Sequence, residues 1–587
     1  MQQSTTSRSV RAVRAAALLC ALAVSASAAA APDDGQCSYY QAGTRNLYWG
    51  DMHVHTAYSL DAYGFGTLNT PRDAYRFARG ETVALPDGTP ARLDRPLDFV
   101  AVTDHAEWLD FMYVCTDPEN ADLPDCRFLR ENSNPEQGSS VFGKYVVPSI
   151  TKAEPHALAV CSEDPERCAE ASSRQWLRIQ QQANEADDPC NFSALIGFEW
   201  SATPSFSHTH RNVIFASEHV TPFAIDYIRY PAVADLWEQL DLHCKADAGC
   251  DAITIPHNTN MGDGFSFDVE SESDRVLQMR SRYERLVEVH QEKGNSECLS
   301  PFGVRDESDC NFEVRLTRSS QLTPADQYDH AGWEKMRGSY ARGLLLRGLA
   351  AYDRSGAARR NPLQLGLIGS TDNHAAKPGY VDESSWLGSV FGIGNFERTM
   401  SRLDFNPGGL VAVWAEQNTR ASLFDALKRR EVYATSGPRI RLQFSASTDA
   451  RPLDCSAGPH GDVPMGGEFY AAAAAPQFMV HAQYDHTPLQ KFEVIKGSWS
   501  PRDGYQESVT TIWEGKGDGR DVCVVWRDPS FAADQPAFWY ARVQEAPSPR
   551  WSASMCERAG RCDEFPQADT QIKERAWSSP VWYLPGN

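Results

Sequence analysis

Histidines and carboxylates recur in this chain at the points where short apolar runs stop. His53-Val54-His55 follows Leu47-Tyr48-Trp49, Asp104-His105 follows Phe99 to Val102, and Glu199 follows Ala194 to Ile196. His257 comes after Ala252 to Ile255, His290 after Leu286 to Val289, and Asp372 with His374 after Leu365 to Ile368. Imidazole nitrogens and carboxylate oxygens are the usual ligands of zinc, manganese and iron. In an extended segment residues i and i+2 project to one side, so His53 and His55 can serve one ion. Glu199, with two oxygens, can bridge two ions. Each signal is weak alone, because a histidine at a strand end is more often a hydrogen-bonded structural residue. The set carries the reading: separate strand ends all supply ligand chemistry.

The elements that must hold these groups are the apolar runs themselves. From about Arg45 to Gly437 they alternate with longer amphipathic stretches, the rhythm of β/α units. A further run is Leu410 to Val413. Most are rich in Val, Ile and Leu without strict alternation, as strands buried on both faces of a parallel sheet are. In a parallel α/β barrel the C-terminal strand ends open onto one face, where distant ligands converge. A helix is expected over Ala421 to Arg430, capped by Asn418 or Thr419, with Lys428, Arg429 and Arg430 suited to its C-terminal dipole. Trp333 to Ala351 is also helix-like, weakened by Gly338, Gly343 and Gly348. Residues 112–190 are rich in Cys, Pro and Asp and show no strand between Cys115 and Cys190, which reads as a disulfide-braced insertion. Residues 438–587 read as a small β-rich, sandwich-like domain following the 37–437 unit.

Residues 1–28 look like a secretory signal. Arg8, Arg11 and Arg14 precede an apolar core from Ala15 to Val24, and Ala26-Ser27-Ala28 offers small residues for cleavage. A Sec-type signal and a periplasmic or secreted location are the expectation. Without Cys20 an even number of the 15 cysteines remains, which suits disulfides in an exported chain. Cys115/Cys126, Cys161/Cys168, Cys244/Cys250, Cys298/Cys310 and Cys556/Cys562 are close enough in sequence to staple loops. No run of about 18 apolar residues is present to span a membrane. The 587 residues carry 56 Lys and Arg against 78 Asp and Glu, a formal charge of −22. That balance argues against coating nucleic acid or an anionic membrane, and leaves room for a local basic pocket.

His53-Val54-His55-Thr56 with Asp61, Thr103-Asp104-His105, Gly197-Phe198-Glu199, Ile255-Pro256-His257, Glu288-Val289-His290 and Gly369 to His374 together resemble the ordered motifs of the PHP superfamily, named for polymerase and histidinol phosphatase. The text Leu47 to His53, Glu431 to Ile440 and Ala576 to Pro580 more closely resembles an exported bacterial family of unknown function allied to it. The resemblance implies a distorted (β/α)7, TIM-like barrel holding two or three divalent ions, Zn, Mn or Fe, and cleaving phosphoesters. By position, His53, His55, Glu199 and Asp372 would hold one ion, and Glu199, His257 and His290 would surround a second. Asp61, His105 and His374 would suit a third. Asp61 departs from the pattern, since many relatives carry a His there, and a carboxylate would favour harder ions.

The chemistry implied is hydrolysis of a small, anionic phosphate mono- or diester, with a metal-bound hydroxide attacking phosphorus. Asp104 is a candidate base or histidine orienter, or else a loop cap. Arg211 and Lys377 could clamp a phosphate, or be ordinary charged residues. His208-Thr209-His210 is a second H-x-H with no strand directly before it, and receives no metal. Glu416 and Arg439 stay undecided. Two other readings remain. An amidohydrolase-type metallohydrolase acting on an amide, lactone or triester uses a similar ligand order, but does not require Asp104-His105 or His374. A non-catalytic surface protein, binding glycan or protein through its tryptophans, would not need an intact ligand set.

Overall fold

The computed structural model describes residues 36–585, except 86, 153, 268, 300–309, 316–334, 355–360, 449–452, 458–460 and 473. The expected signal over 1–28 and the start of the Trp333 to Ala351 stretch lie outside the described residues. The chain is a mixed α/β protein with a large mixed sheet and a β-rich C-terminal part.

Every expected strand forms, with small shifts at the ends. Asn46–Asp51, Phe99–Val102 and Ser193–Trp200 lie side by side and parallel. Arg211–Phe215 and Ala252–Pro256 then continue the sheet as antiparallel neighbours. On the other side of Asn46–Asp51 runs Leu410–Ala415, also antiparallel, followed by Val432–Thr435. Leu286–Gln291 and Gly366–Gly369 pair in parallel as a separate small sheet. It meets the large sheet through the Thr254–Glu284 bridge and through Gly409 N–H, which donates to the Ser370 carbonyl.

The expected distorted (β/α)7, TIM-like barrel does not appear: among the described residues the sheets around the site mix parallel and antiparallel neighbours and none of them closes. For Arg211–Phe215 the physical reason is chain length. A parallel return needs a crossover of a dozen or more residues, and the segment between Trp200 and Arg211 is too short for one, so the chain turns back antiparallel. Continuous burial misled the sequence reading, because antiparallel strands covered on both faces look the same in sequence as parallel ones.

Part of the C-terminal region joins the same large sheet, while Arg441–Ser447, Val463–Pro464, Gln477–Gln483 and Asp521–Arg527 form a separate antiparallel sheet. Arg575–Ser578 pairs with Val432–Thr435, and Ala537–Glu545 lies beyond it. A buried charge cluster ties this region to the middle of the chain. Glu297 accepts hydrogen bonds from Arg342 Nη2 at 2.9 Å, Arg542 Nη1 at 2.9 Å, Tyr540 Oη at 2.7 Å and Trp577 Nε1 at 2.7 Å.

Arg420–Arg429 is the expected helix, with the Thr419 hydroxyl accepting from Ser422 N–H and Leu423, Phe424 and Leu427 buried. Residues 112–190 form helices, among them the 22-residue Pro165–Ala186. All five close cysteine pairs are bonded, together with Cys37–Cys190 and Cys455–Cys523. Disulfides persist in oxidising compartments. Among the described residues no helix is long and apolar enough to cross a membrane.

Candidate metal centre

The ends of these strands bring a set of imidazoles and carboxylates to one place. His53 and His55 leave the end of Asn46–Asp51 on the same side, and a Val54–Asn373 bridge fastens them to the Asp372 loop. His53 Nε2 lies 3.3 Å from Glu199 Oε2 and 3.2 Å from Asp372 Oδ1. His55 Nε2 lies 3.1 Å from the same glutamate oxygen and 3.3 Å from the same aspartate oxygen. The other Glu199 oxygen faces His257 Nε2 at 3.1 Å. Asp61 Oδ2 sits between His105 Nε2 at 3.2 Å and His374 Nε2 at 3.1 Å. Within this cluster, among the described residues, three triads have ligand atoms within 4.8 Å of one another: His55, His105 and His374; His53, His55 and Asp372; and His53, Glu199 and His257. All of these residues are buried.

Four of the rings are held by their outward nitrogens, while His257 Nδ1 is buried without a hydrogen-bond partner. His53 Nδ1 meets Glu288 at 3.0 Å, His55 Nδ1 meets Ser59 Oγ at 2.9 Å, and His105 Nδ1 meets Ser201 Oγ at 2.6 Å. His374 Nδ1 meets the Asp372 carbonyl at 2.7 Å. With the proton on Nδ1, each of these rings turns a lone pair at Nε2 toward the shared carboxylates.

The inner atoms are left short of partners. His55 Nε2 and Asp372 Oδ1 are buried and neither finds a partner in hydrogen-bonding geometry. Burial works against charge throughout, yet the His105 and His257 imidazoles hold Glu199 well below the usual carboxylate range. Asp61 is held low by His105 and His374 against the same burial, and His105 is pushed up to about 10 by Glu199 and Asp61. Buried carboxylates crowded this closely need positive charge. Protonated imidazoles would supply it here, and a divalent cation would supply it without protonating the ligands.

The family model described as a protein of unknown function (DUF3604) matches residues 42–521 and 507–585. The chain belongs to that family. A curated relative, an uncharacterized protein of Chlamydia pneumoniae, is 22% identical over 409 residues; the match spans 69% of this chain and 49% of that protein. A solved structure, a two-domain protein containing a predicted PHP-like metal-dependent phosphoesterase from Bacteroides vulgatus, is 10% identical. It covers 86% of this chain and 94% of its own, with a TM-score of 0.30.

Not every expected residue of this DUF3604 chain reaches the cluster. His290 enters none of the three triads and lies 5.4 Å from the Phe312 ring and 5.9 Å from that of Trp577. The register with Gly366–Gly369 slips at Val289, so the strand carries an extra residue before His290. A bulge of this kind re-aims the side chains beyond it. Glu288, before the slip, is the residue that touches His53.

Arg211 is a second departure. Its Nε pairs with Glu284 at 3.0 Å and its other nitrogens donate to the Thr209 and Ser266 carbonyls, so its fork is already used. Lys377 is fully buried beside Tyr380 and is absent from the cavity over the cluster. Asp104 accepts from Thr56 N–H, Thr56 Oγ1 and Ser59 Oγ, each at 2.7 Å. Through Ser59 it orients His55. Glu416 pairs with Arg45, and Arg439 donates to the carbonyls of Arg95 and Pro96.

Sequence reasoning also missed residues. His210 Nδ1 lies 2.7 Å from Glu199 Oε1, and Lys293 donates to Asp372 Oδ2. The second H-x-H, His208-Thr209-His210, was the available signal for His210. It was set aside because no strand precedes it; the strand follows it instead. Lys293 sits past the Leu286–Gln291 strand and had no motif to mark it.

Proposed function

We propose that this protein is an exported, metal-dependent phosphoesterase acting on a phosphate mono- or diester. The observation that carries the reading is the overlap of the three triads: His53 and His55 each belong to two of them, and Glu199 offers one oxygen to each side. Nitrogen and oxygen donors without thiolate suit zinc, manganese or iron. The unpartnered His55 Nε2 and Asp372 Oδ1 fit a cation among them. Ions bound there would lower the pKa of water and neutralise charge on a phosphoryl oxygen.

The chain's own residues have the remaining work. Glu288, Ser59 and Ser201 hold the imidazoles in the tautomer that can coordinate. Lys293 fixes Asp372, and with Arg315, Arg398 and Arg402 it lines the cavity with positive charge for an anionic ester. His208 and His210 also line it, and His210 is fixed there by Glu199 and by the Thr203 hydroxyl. The Asp61, His105 and His374 group favours this reading over an amidohydrolase-type one, which does not require it. Export fits the seven disulfides. The 37–437 unit, opened rather than closed into a barrel, would carry the site, with residues 438–587 as its accessory part.

Metal analysis of the purified protein, followed by a panel of phosphomonoesters, diesters, amides and lactones, tests the reading. Bound divalent metal and turnover of phosphoesters alone are expected. His55→Ala should abolish turnover and leave the far-ultraviolet spectrum unchanged. A folded protein that takes up no metal sinks the proposal, and faster turnover of amides or lactones transfers it to the alternative.

A further inference from the structure

The cavity over the metal centre has a volume of about 670 Å3. A phosphoryl group fills a small part of that space. The cavity is comparable with sites for whole organic ligands, roughly 300–1,000 Å3.

Its lining is divided by chemistry. The polar part is the cluster together with Lys293, Arg315, Arg398 and Arg402. Much of the rest is apolar and comes from the insertion after the second strand: Phe142, Val146 and Ile150 follow one another at helical spacing and all line the cavity. Phe391 and Phe405 line it from another segment. Arg315 and Arg402 lie over the Phe405 ring at 3.9 and 4.7 Å. Those guanidiniums extend the apolar lining as flat cations.

Phe206 adds an independent observation. It is a lining residue, yet 57% exposed, an unfavourable place for a large apolar ring. Ser205 and Phe206 both have positive φ, at 53° and 68°. Neither is glycine, so the backbone is strained where it presents this ring.

We infer that the ester accepted here carries a bulky apolar alcohol, aryl or long alkyl, whose body packs against Phe142, Val146, Ile150, Phe405 and Phe206. The inference rests on the phosphoesterase reading above and names its substrate class. Water leaves the alcohol and the exposed faces of Phe142 and Phe206 when the ester binds, and each methylene removed from water is worth about fourfold. Small sugar or glycerol phosphates would leave the apolar lining wet.

The test uses the full-length, metal-loaded protein and two readouts. Turnover of methyl, hexyl, phenyl and 1-naphthyl phosphate gives kcat/KM, and calorimetry gives the affinity for methyl-, hexyl- and 1-naphthylmethylphosphonate. Hexyl over methyl, five methylenes more, should gain on the order of a thousandfold in each readout. The ring and chain arms tell an aryl from an alkyl alcohol. Phe142→Ala should narrow the ratio about tenfold, and Phe206→Ser, at an exposed position with little to lose in folding, should narrow it severalfold. Equal affinity for methyl- and hexylphosphonate overturns the inference even if both esters are hydrolysed. Size-graded phosphonate binding with no ester turned over supports the ligand class and overturns the hydrolytic reading instead.

Discussion

Glu288 and His53 meet at 3.0 Å, carboxylate to Nδ1, with both side chains 1% exposed. The pair fixes which nitrogen of His53 faces Glu199 and Asp372. Glu288→Gln keeps the shape and removes the charge that holds the proton on Nδ1. Losing such a partner typically costs 10- to 100-fold in metal affinity or activity. A competition titration with a chelator should show that loss while the melting temperature of the metal-free protein stays within a few degrees.

Asp61 joins His105 to His374 and touches neither His53 nor His257 in any hydrogen bond. Asp61→Asn should lower bound metal by about one equivalent and leave the ions beside Glu199 in place. Asp61→His should restore the equivalent and move its preference from manganese toward zinc, because imidazole is the softer donor. Plasma emission analysis of dialysed protein reads both, and unchanged stoichiometry in Asp61→Asn would remove Asp61 from the ligand set.

Lys377 is buried, its Nζ has no hydrogen-bond partner, and burial lowers it to about 7 from 10.5. Below about pH 7 the ammonium is charged in both folded and unfolded chains, so the cost of burying it is complete. As the pH rises from about 7 toward 10.5 the folded amine is neutral, and stability recovers. Lys377→Met should therefore stabilise the protein by on the order of 3 kcal/mol at pH 6. The gain should shrink as the pH approaches 10.5, with phosphoesterase activity retained. Denaturation curves at several pH values measure it, and a loss of activity would return Lys377 to the site.

Glu297 is held at about 2 by Arg542 and Arg342 against the opposing effect of burial. The stability this adds is complete above its unfolded pKa of about 4.5 and is lost as the pH falls from there to about 2. The acid-sensitive part is about 3 kcal/mol. Glu297→Gln should cost about 3 kcal/mol near neutrality, because it removes the buried carboxylate that Arg342 and Arg542 share and leaves Arg542 to Glu493 and Arg342 to the more distant Glu507. Its melting temperature should also lose most of the acid dependence seen in the parent protein.

Much of the site was legible because its ligands sit where apolar runs end. Phe99–Val102 appeared at its observed bounds, and Asp104 and His105 followed from it. The failures share a cause, which is information carried by register rather than by residue type. A single extra residue at Val289 takes His290 out of the cluster. The pairing direction of Arg211–Phe215 commits its first residue to Glu284. Gly504–Gly519, a strand of mostly exposed polar residues, offered no apolar run to find. Glu297 has no motif, since its partners lie far along the chain in Arg542 and Trp577.

The pairing of Asn46–Asp51 with Leu410–Ala415 bears on how the protein comes into being. The strand that leads into His53 and His55 has Phe99–Val102 on one side but acquires its second neighbour only when the chain has emerged more than 350 residues further on, and pairings so distant in sequence form slowly. A nascent or clipped chain that ends before Leu410 would hold His53, His55, His105 and Glu199 on a sheet missing one flank. Half-made copies would then compete poorly for scarce metal, so hydrolytic capacity would arrive in one late step of maturation.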